Sequence, residues 1–195
     1  MTDWAAVDER HDTALLLVDV INAFFAADGA FHYDDAALVL PALEQLLAAA
    51  RDGGRLVVHA RESHYRGLAD LEGRKLPPHC VVGESDAEFF AGFEPVNDEV
   101  ELRKRRYSAF FGTDLALLLQ EQRARRVVVA GVKTNVCIRA TIQDAFAYGF
   151  EPVVSREAVN SNRSHLHEAT LEDVERYFGR VVSLGETLDL LRGAS

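Results

Sequence analysis

Cysteine is scarce in this chain: Cys80 and Cys137 are the only two, and they lie far apart. A disulfide scaffold is thereby excluded, and a reducing compartment fits better. Long apolar runs are also missing. The longest, from Ala14 to Ala27, is interrupted by Asp19 and Asn22 and is shorter than the roughly 20 residues that cross a bilayer as a helix. No basic segment leading into an apolar stretch opens the sequence, so a secretory signal is not expected and the cytoplasm is the expected location. Cations are outnumbered, 21 Lys and Arg against 31 Asp and Glu. The resulting net charge of −10 gives no electrostatic reason to bind nucleic acid or an anionic membrane. No Gly-x-Gly-x-x-Gly follows the first apolar run, which argues against a dinucleotide-binding protein. Repeats, low-complexity tracts and linkers are lacking too, so residues 1–195 are expected to form one domain.

What is present is a regular alternation of strand-length apolar runs with helical patterns. Ala14–Val18 is a continuous apolar run, as a strand buried on both faces requires. The pattern predicts a helix over Asp34–Ala50, with Leu38, Leu43, Leu46 and Leu47 as its apolar stripe, stopped by Gly53-Gly54. A strand over Arg55–Ala60 follows, then a loop-rich segment to Gly83 and a weak strand over Glu99–Leu102. Further on come a helix over Asp114–Gln122, the strongest strand at Arg126–Val132, and a helix from Cys137 to Tyr148. Pro152–Val154, a helix over Ser164–Phe178, Val181–Ser183 and a terminal helix through Leu191 complete the series. Such alternation predicts a three-layer α/β/α sandwich around a mainly parallel sheet.

Three segments carry residues with chemistry. Cys137 opens the helix after the strongest strand, where the helix dipole favours an anion and can draw a thiol below its free value near ~8.5; the alternative is a small buried apolar residue. Asp19 ends the first central strand, at the carboxyl edge where α/β folds bind ligands; it reads equally as a helix cap or loop carboxylate. Lys104 stands in the run Arg103-Lys104-Arg105-Arg106, and composition gives no reason to prefer it over its neighbours. Beside that run, Tyr107, Phe110 and Phe111 offer an aromatic wall for a small flat substrate, ahead of a Gly112-Thr113-Asp114 helix start. Thiol, carboxylate and ammonium are together the parts for acyl transfer, with backbone N–H groups at the start of the Cys137 helix as oxyanion donors.

The ordered motifs Val18-Asp19, Lys104-x-Arg106-Tyr107-Ser108-Ala109-Phe110-x-Gly112-Thr113-Asp114, and Gly131-Val132-x-Thr134-Asn135-x-Cys137 resemble the isochorismatase-like cysteine hydrolases, most closely their nicotinamidase-like branch. The likeness runs from about Thr13 to Ser183. It implies that fold, a catalytic triad of Asp19, Lys104 and Cys137, a cis peptide between Val132 and Lys133, and an oxyanion hole from the N–H groups of Lys133 and Cys137. It also implies a substrate pocket bordered by Phe24, Leu76, Tyr107 and Val132. The activity implied is hydrolysis of a small carboxamide, through a thioester, to acid and ammonia. Ureido or carbamoyl compounds and a vinyl ether such as isochorismate are the alternatives within the family, and a non-catalytic binding protein the alternative outside it. Relatives are commonly oligomeric, which makes a homo-oligomer the expectation.

Glu62 and His64, two apart in an extended segment, face the same way and can share an ion with His79. Such a set suits Zn²⁺, Fe²⁺ or Mn²⁺, but it also reads as surface residues. The resemblance supplies a Pro77-Pro78-His79-Cys80 segment like that of metal-dependent nicotinamidases, although Glu62 replaces their aspartate and Leu68 their second histidine. Glu72 is a further candidate ligand, and many relatives hold no metal. Leu76 stands where nicotinamidases usually have a tryptophan, which weakens nicotinamide as substrate without touching the amidase chemistry. Lys133 faces either an anionic substrate group or solvent, and solvent is the expectation. Cys80 is expected to pack, Asp144 to be a structural partner, Asn160-Ser161 to border the pocket, and His11, His32, His165 and His167 to lie on the surface.

Overall fold

The computed structural model describes residues 8–193. Its centre is a six-stranded sheet in the order β3-β2-β1-β4-β5-β6. The strands are β1 (Thr13–Val18), β2 (Leu56–Glu62), β3 (Val100–Lys104), β4 (Arg126–Val132), β5 (Glu151–Asn160) and β6 (Arg180–Val182). Every adjacent pair is parallel. Helices α1 (Asn22–Phe25), α2 (Leu40–Asp52), α3 (Leu115–Glu121), α4 (Arg139–Ala147), α5 (Ser164–Asp173) and α6 (Leu184–Arg192) connect or flank them. Among the described residues, no helix is long and apolar enough to cross a membrane.

Strand periodicity explains the layers. Alternate β1 residues point to opposite faces. Leu15 and Leu17 join the core under α2 and α6, while Ala14, Leu16 and Val18 join the core under α3, α4 and α5. All five are essentially inaccessible, so the apolar run in the sequence corresponds to a strand covered on both sides. Each such leucine contributes roughly 1.5–3 kcal/mol of burial.

The elements differ from the sequence pattern in specific ways. The expected helix from Asp34 begins instead as a 3₁₀ segment over Asp34–Val39, and α2 proper starts at Leu40. Pro41 explains the break: it lacks an N–H and clashes with a preceding helical turn, but is at ease in the first one. Leu38, expected on the apolar stripe, is 73% exposed as a result. β5 runs ten residues rather than three, its middle masked in sequence by the exposed Arg156 and Glu157. The helical turn before Cys137 starts earlier than expected, as a π turn over Thr134–Ile138 that leads into α4, so Cys137 lies within the first turns rather than opening them. The last helices divide similarly, with a π turn over Val174–Phe178 after α5.

Strand order reverses on either side of β1, to β2 on one edge and β4 on the other. Such a switch leaves a crevice at the carboxyl ends of the strands. Gly131 makes it possible for β1 and β4 to close up there. Its φ is +118°, and a Cβ at that position would lie 2.1 Å from the Val18 carbonyl oxygen. Only glycine fits such a conformation and such an approach.

Candidate active site

Asp19, Lys104 and Cys137 meet in this crevice. Asp19 directly follows β1 with φ +56°, a left-handed conformation that costs energy for a non-glycine residue. Its N–H donates to the Ala60 carbonyl at 2.8 Å, and its Oδ1 accepts the Glu62 N–H at 2.8 Å, so both its backbone and its side chain are tied to β2. Lys104 ends β3, whose alternation turns Leu102 and Lys104 inward while Glu101 and Arg103 face solvent. Its Nζ lies 2.8 Å from Asp19 Oδ2 and donates to Cys137 Sγ at 3.6 Å. The contact to Asp19 is an ion pair poorly aligned as a hydrogen bond, so Oδ2 keeps a lone pair for another donor. Lys104 thus bridges the Asp19 carboxylate and the Cys137 thiol.

All three side chains are out of solvent, which sets their titration. Burial pushes Asp19 above the ordinary carboxylate value, against the pull of the Lys104 ammonium. Burial also pushes the Cys137 thiol well up; Lys104 opposes that, and the charges of Asp19 and Glu62 add to it. Lys104 itself stays charged: burial works against its ammonium, but Asp19, Cys137 and Glu62 together raise it. The expectation of a thiol lowered by the helix dipole is therefore corrected. One ammonium compensates one negative charge, so Asp19 and Cys137 share a proton instead of ionising together. A carboxylate and a thiol bridged by one ammonium have the parts to pass that proton between sulfur and oxygen as a carbonyl is attacked.

The cluster opens on a cavity of about 190 Å³. Phe24, Leu76, Tyr107 and Cys137 line it, together with Phe31 and Val136, which sequence reading missed. Phe31 lies in a loop without periodicity, and nothing in the sequence marked it. Val132 is not on the wall; it is fully buried in the core beneath, where a strand residue between two packed layers belongs. Phe110 also leaves the expected aromatic wall, stacking on Tyr148 and Phe150, and Phe111 is 65% exposed.

The peptide between Val132 and Lys133 is cis. The Lys133 side chain does not point to solvent as expected. It lines the cavity, half-buried, with its Nζ 5.7 Å from the ring centroids of Phe24 and Phe31 and 5.1 Å from that of Tyr33. Burial draws this ammonium below the ordinary lysine value of 10.5, with Arg163 adding to the effect and Cys137 opposing it. Asn160 and Ser161 stand behind the wall: Asn160 accepts from the Tyr33 hydroxyl, and Ser161 donates to Asn135 at 2.6 Å. Asp144 accepts from Ser108, the structural part expected of it. His32 and His165 are exposed, but His167 is half-buried and bonded to Thr134 Oγ1 at 2.9 Å, and His11 to Gln122 at 2.8 Å.

Next to the cavity, Glu62, His64, Glu72 and His79 are all buried, and one donor atom from each lies within 4.8 Å of the others. His64 Nδ1 faces Asp70 at 3.0 Å and His79 Nδ1 faces the Pro77 carbonyl at 2.8 Å, which turns both Nε2 atoms inward. Those Nε2 atoms, Glu62 Oε1 and both Glu72 carboxylate oxygens have no hydrogen-bond partner. Burial and the Glu62 charge push Glu72 up to about 7. Two carboxylates and two imidazoles left orphaned around one point fit a divalent cation. Cys80 is buried nearby, its thiol pushed up by burial and by Glu62, and it packs as expected.

Comparison with known proteins agrees with this geometry. The Isochorismatase domain family model matches residues 13–186. The chain is 40% identical over 188 residues to the maleamate amidohydrolase of Pseudomonas putida, covering 92% of this chain and 86% of that protein. The nicotinamidase/pyrazinamidase PncA of Bacillus subtilis superposes with a TM-score of 0.83 at 31% identity, over 88% of this chain and 99% of that one. The pyrazinamidase of Pyrococcus horikoshii, solved in complex with zinc, gives 0.81 at 30%, over 88% and 99%. With its parallel sheet, its cysteine at the switch crevice and this breadth of likeness, the chain belongs to the isochorismatase family, as one of its hydrolases of C–N bonds.

Proposed function

We propose that the protein hydrolyses a small carboxamide to its acid and ammonia, with Cys137 as nucleophile, Asp19 as the proton carrier and Lys104 as the fixed cation. The observation that carries this reading is the contact of Lys104 with both Asp19 and Cys137 at the edge of a cavity of about 190 Å³. A space of that size suits an acyl group of a few heavy atoms. The likeness to the maleamate amidohydrolase supports a short unsaturated acid amide of that kind.

Asp19 takes the thiol proton as Cys137 Sγ bonds to the carbonyl carbon, and the carbonyl π electrons move onto oxygen. The N–H groups of Lys133 and Cys137 are the proposed donors to that oxyanion, at the start of the helical turn where the dipole favours negative charge. The C–N bond then breaks, the nitrogen takes the proton held by Asp19, and ammonia leaves a thioester. Water attacks the thioester, gives its proton to Asp19 and displaces the thiolate, which recovers that proton. Lys104 stays charged throughout, so the cluster never carries an unbalanced buried anion.

Glu62, His64, Glu72 and His79 are the residues that would hold a divalent ion, with Zn²⁺, Fe²⁺ or Mn²⁺ as candidates from the donor set. Such an ion supplies Lewis acidity beside the cavity. Glu62 joins the two centres, since its N–H holds Asp19 while its side chain belongs to the metal group. Ammonia release from a panel of small amides tests the reading. Wild type is expected to turn over at least one short carboxamide, and Cys137→Ala to lose more than about 10³-fold in kcat. Full activity of Cys137→Ala would refute the assignment.

A further inference from the structure

Lys133 is a cation without a counter-ion. Among the described residues it forms no ion pair with any carboxylate, whereas the fully buried Lys104 is paired with Asp19. Among the described residues, the groups set against its ammonium are the rings of Phe24, Phe31 and Tyr33. Rings attract a cation through their quadrupole but accept no strong hydrogen bonds, so the three N–H donors of the ammonium stay available. Tyr33 is itself fixed by its hydroxyl on Asn160, which steadies the arrangement. A cation restrained in this way has already lost the side-chain freedom that binding would otherwise cost.

The position of this cation decides what it can bind. Lys133 and Cys137 line the same cavity, and the other wall residues beside them are apolar or aromatic, apart from Glu62 and His79 on the metal side. A neutral amide in this space would bury against an ammonium it cannot neutralise. An amide carrying a carboxylate a few bonds from its carbonyl would place the carboxylate on Lys133 and the carbonyl at sulfur. We propose that Lys133 is the specificity-determining residue, selecting monoamides of short dicarboxylic acids over neutral amides of the same shape. This rests on the amidase reading above and adds a charge requirement to it.

The test compares ammonia release from the monoamide of a four-carbon dicarboxylic acid with release from the corresponding diamide, which replaces the carboxylate by a neutral group of equal size. Wild type is expected to favour the monoamide in kcat/KM by about 100-fold, the loss typical when one partner of a buried charge pair is removed. Lys133→Met is expected to bring that ratio close to one, through KM more than kcat, and Lys133→Glu to invert it. Circular dichroism and melting establish that each variant is folded. A second readout needs no variant: short dicarboxylates should inhibit wild type competitively, and their diesters should not. Equal turnover of both amides by wild type, or a folded Lys133→Met that keeps the preference, would overturn the role of Lys133 and leave the amidase reading intact. Turnover of neither amide, nor of any other in the panel, would remove the amidase reading and this inference with it.

Discussion

Lys104 shows how a single side chain can be invisible in sequence and central in space. It is one of four consecutive cations, and its neighbours are solvated: Arg103 pairs with Glu101, and Arg105 and Arg106 with Asp70. Only the strand alternation of β3 turns Lys104 inward to the Asp19 carboxylate, and no residue in the run announces that phase. The family motif picked it out; composition did not. Removing it should be costly in a way that depends on pH. Lys104→Met leaves Asp19 buried without its cation, a loss of about 3–5 kcal/mol while Asp19 is ionised. That loss should shrink in acid, where the already raised Asp19 takes a proton and no buried charge remains. Chemical denaturation of both proteins across pH 4–8 checks the sign; a constant difference would contradict it. The same raised carboxylate fixes the acid side of catalysis. As pH falls through its value, the shared-proton pair gains a second proton and the base is lost. The acid limb of kcat/KM should therefore lie above the ordinary 3.8, and a limb at or below that value would disprove the base assignment.

At the level of elements, apolar runs were legible and their ends were not. β1 and β4 stand out because both faces are covered, so every residue after Thr13 in β1 and after Arg126 in β4 is apolar. The length of β5 was hidden because its central residues face water, and the start of α2 was displaced by Pro41. Lys133 was misplaced for a related reason: the residue after a strand has no periodicity to say which way it points. Gly131 links this level to the site. Gly131→Ala puts a Cβ against the Val18 carbonyl and a side chain at φ +118°, so β1 and β4 must separate just where Asp19 and Lys133 leave them. Left-handed strain alone costs about 1–3 kcal/mol. The variant is expected to melt lower and to lose a larger fraction of kcat/KM than the melting shift accounts for. A wild-type melting temperature and full activity would show that the close approach is dispensable.

Over the whole molecule, alternation of strand and helix predicted the layered architecture, and the strand order then explains why residues 19, 62, 104 and 137, distant in sequence, face one crevice. The metal group was legible only in part. Glu62 and His64 were visible as a spacing and His79 through the Pro77-Pro78-His79-Cys80 segment, but the inward turn of both Nε2 atoms depends on contacts with Asp70 and the Pro77 carbonyl that neither spacing nor motif shows. Because the donors come from segments between Glu62 and His79, an ion would tie that loop to β2. Metal-loaded protein should melt higher than chelated protein, with stabilisation of about 4 kcal/mol at a free ion concentration 1,000 times the dissociation constant. Glu72→Gln should reduce that increment, and no response to Zn²⁺, Fe²⁺ or Mn²⁺ would exclude the group as a metal site.

The central claim is covalent catalysis at Cys137, and the most direct measurement is the intact mass of enzyme quenched in acid during turnover of a short monoamide, followed by peptide mapping. The account predicts an adduct equal to the substrate less ammonia, located on the peptide containing Cys137 and absent from Cys137→Ala. Ammonia release at the wild-type rate by Cys137→Ala, or an adduct on another residue, would contradict it.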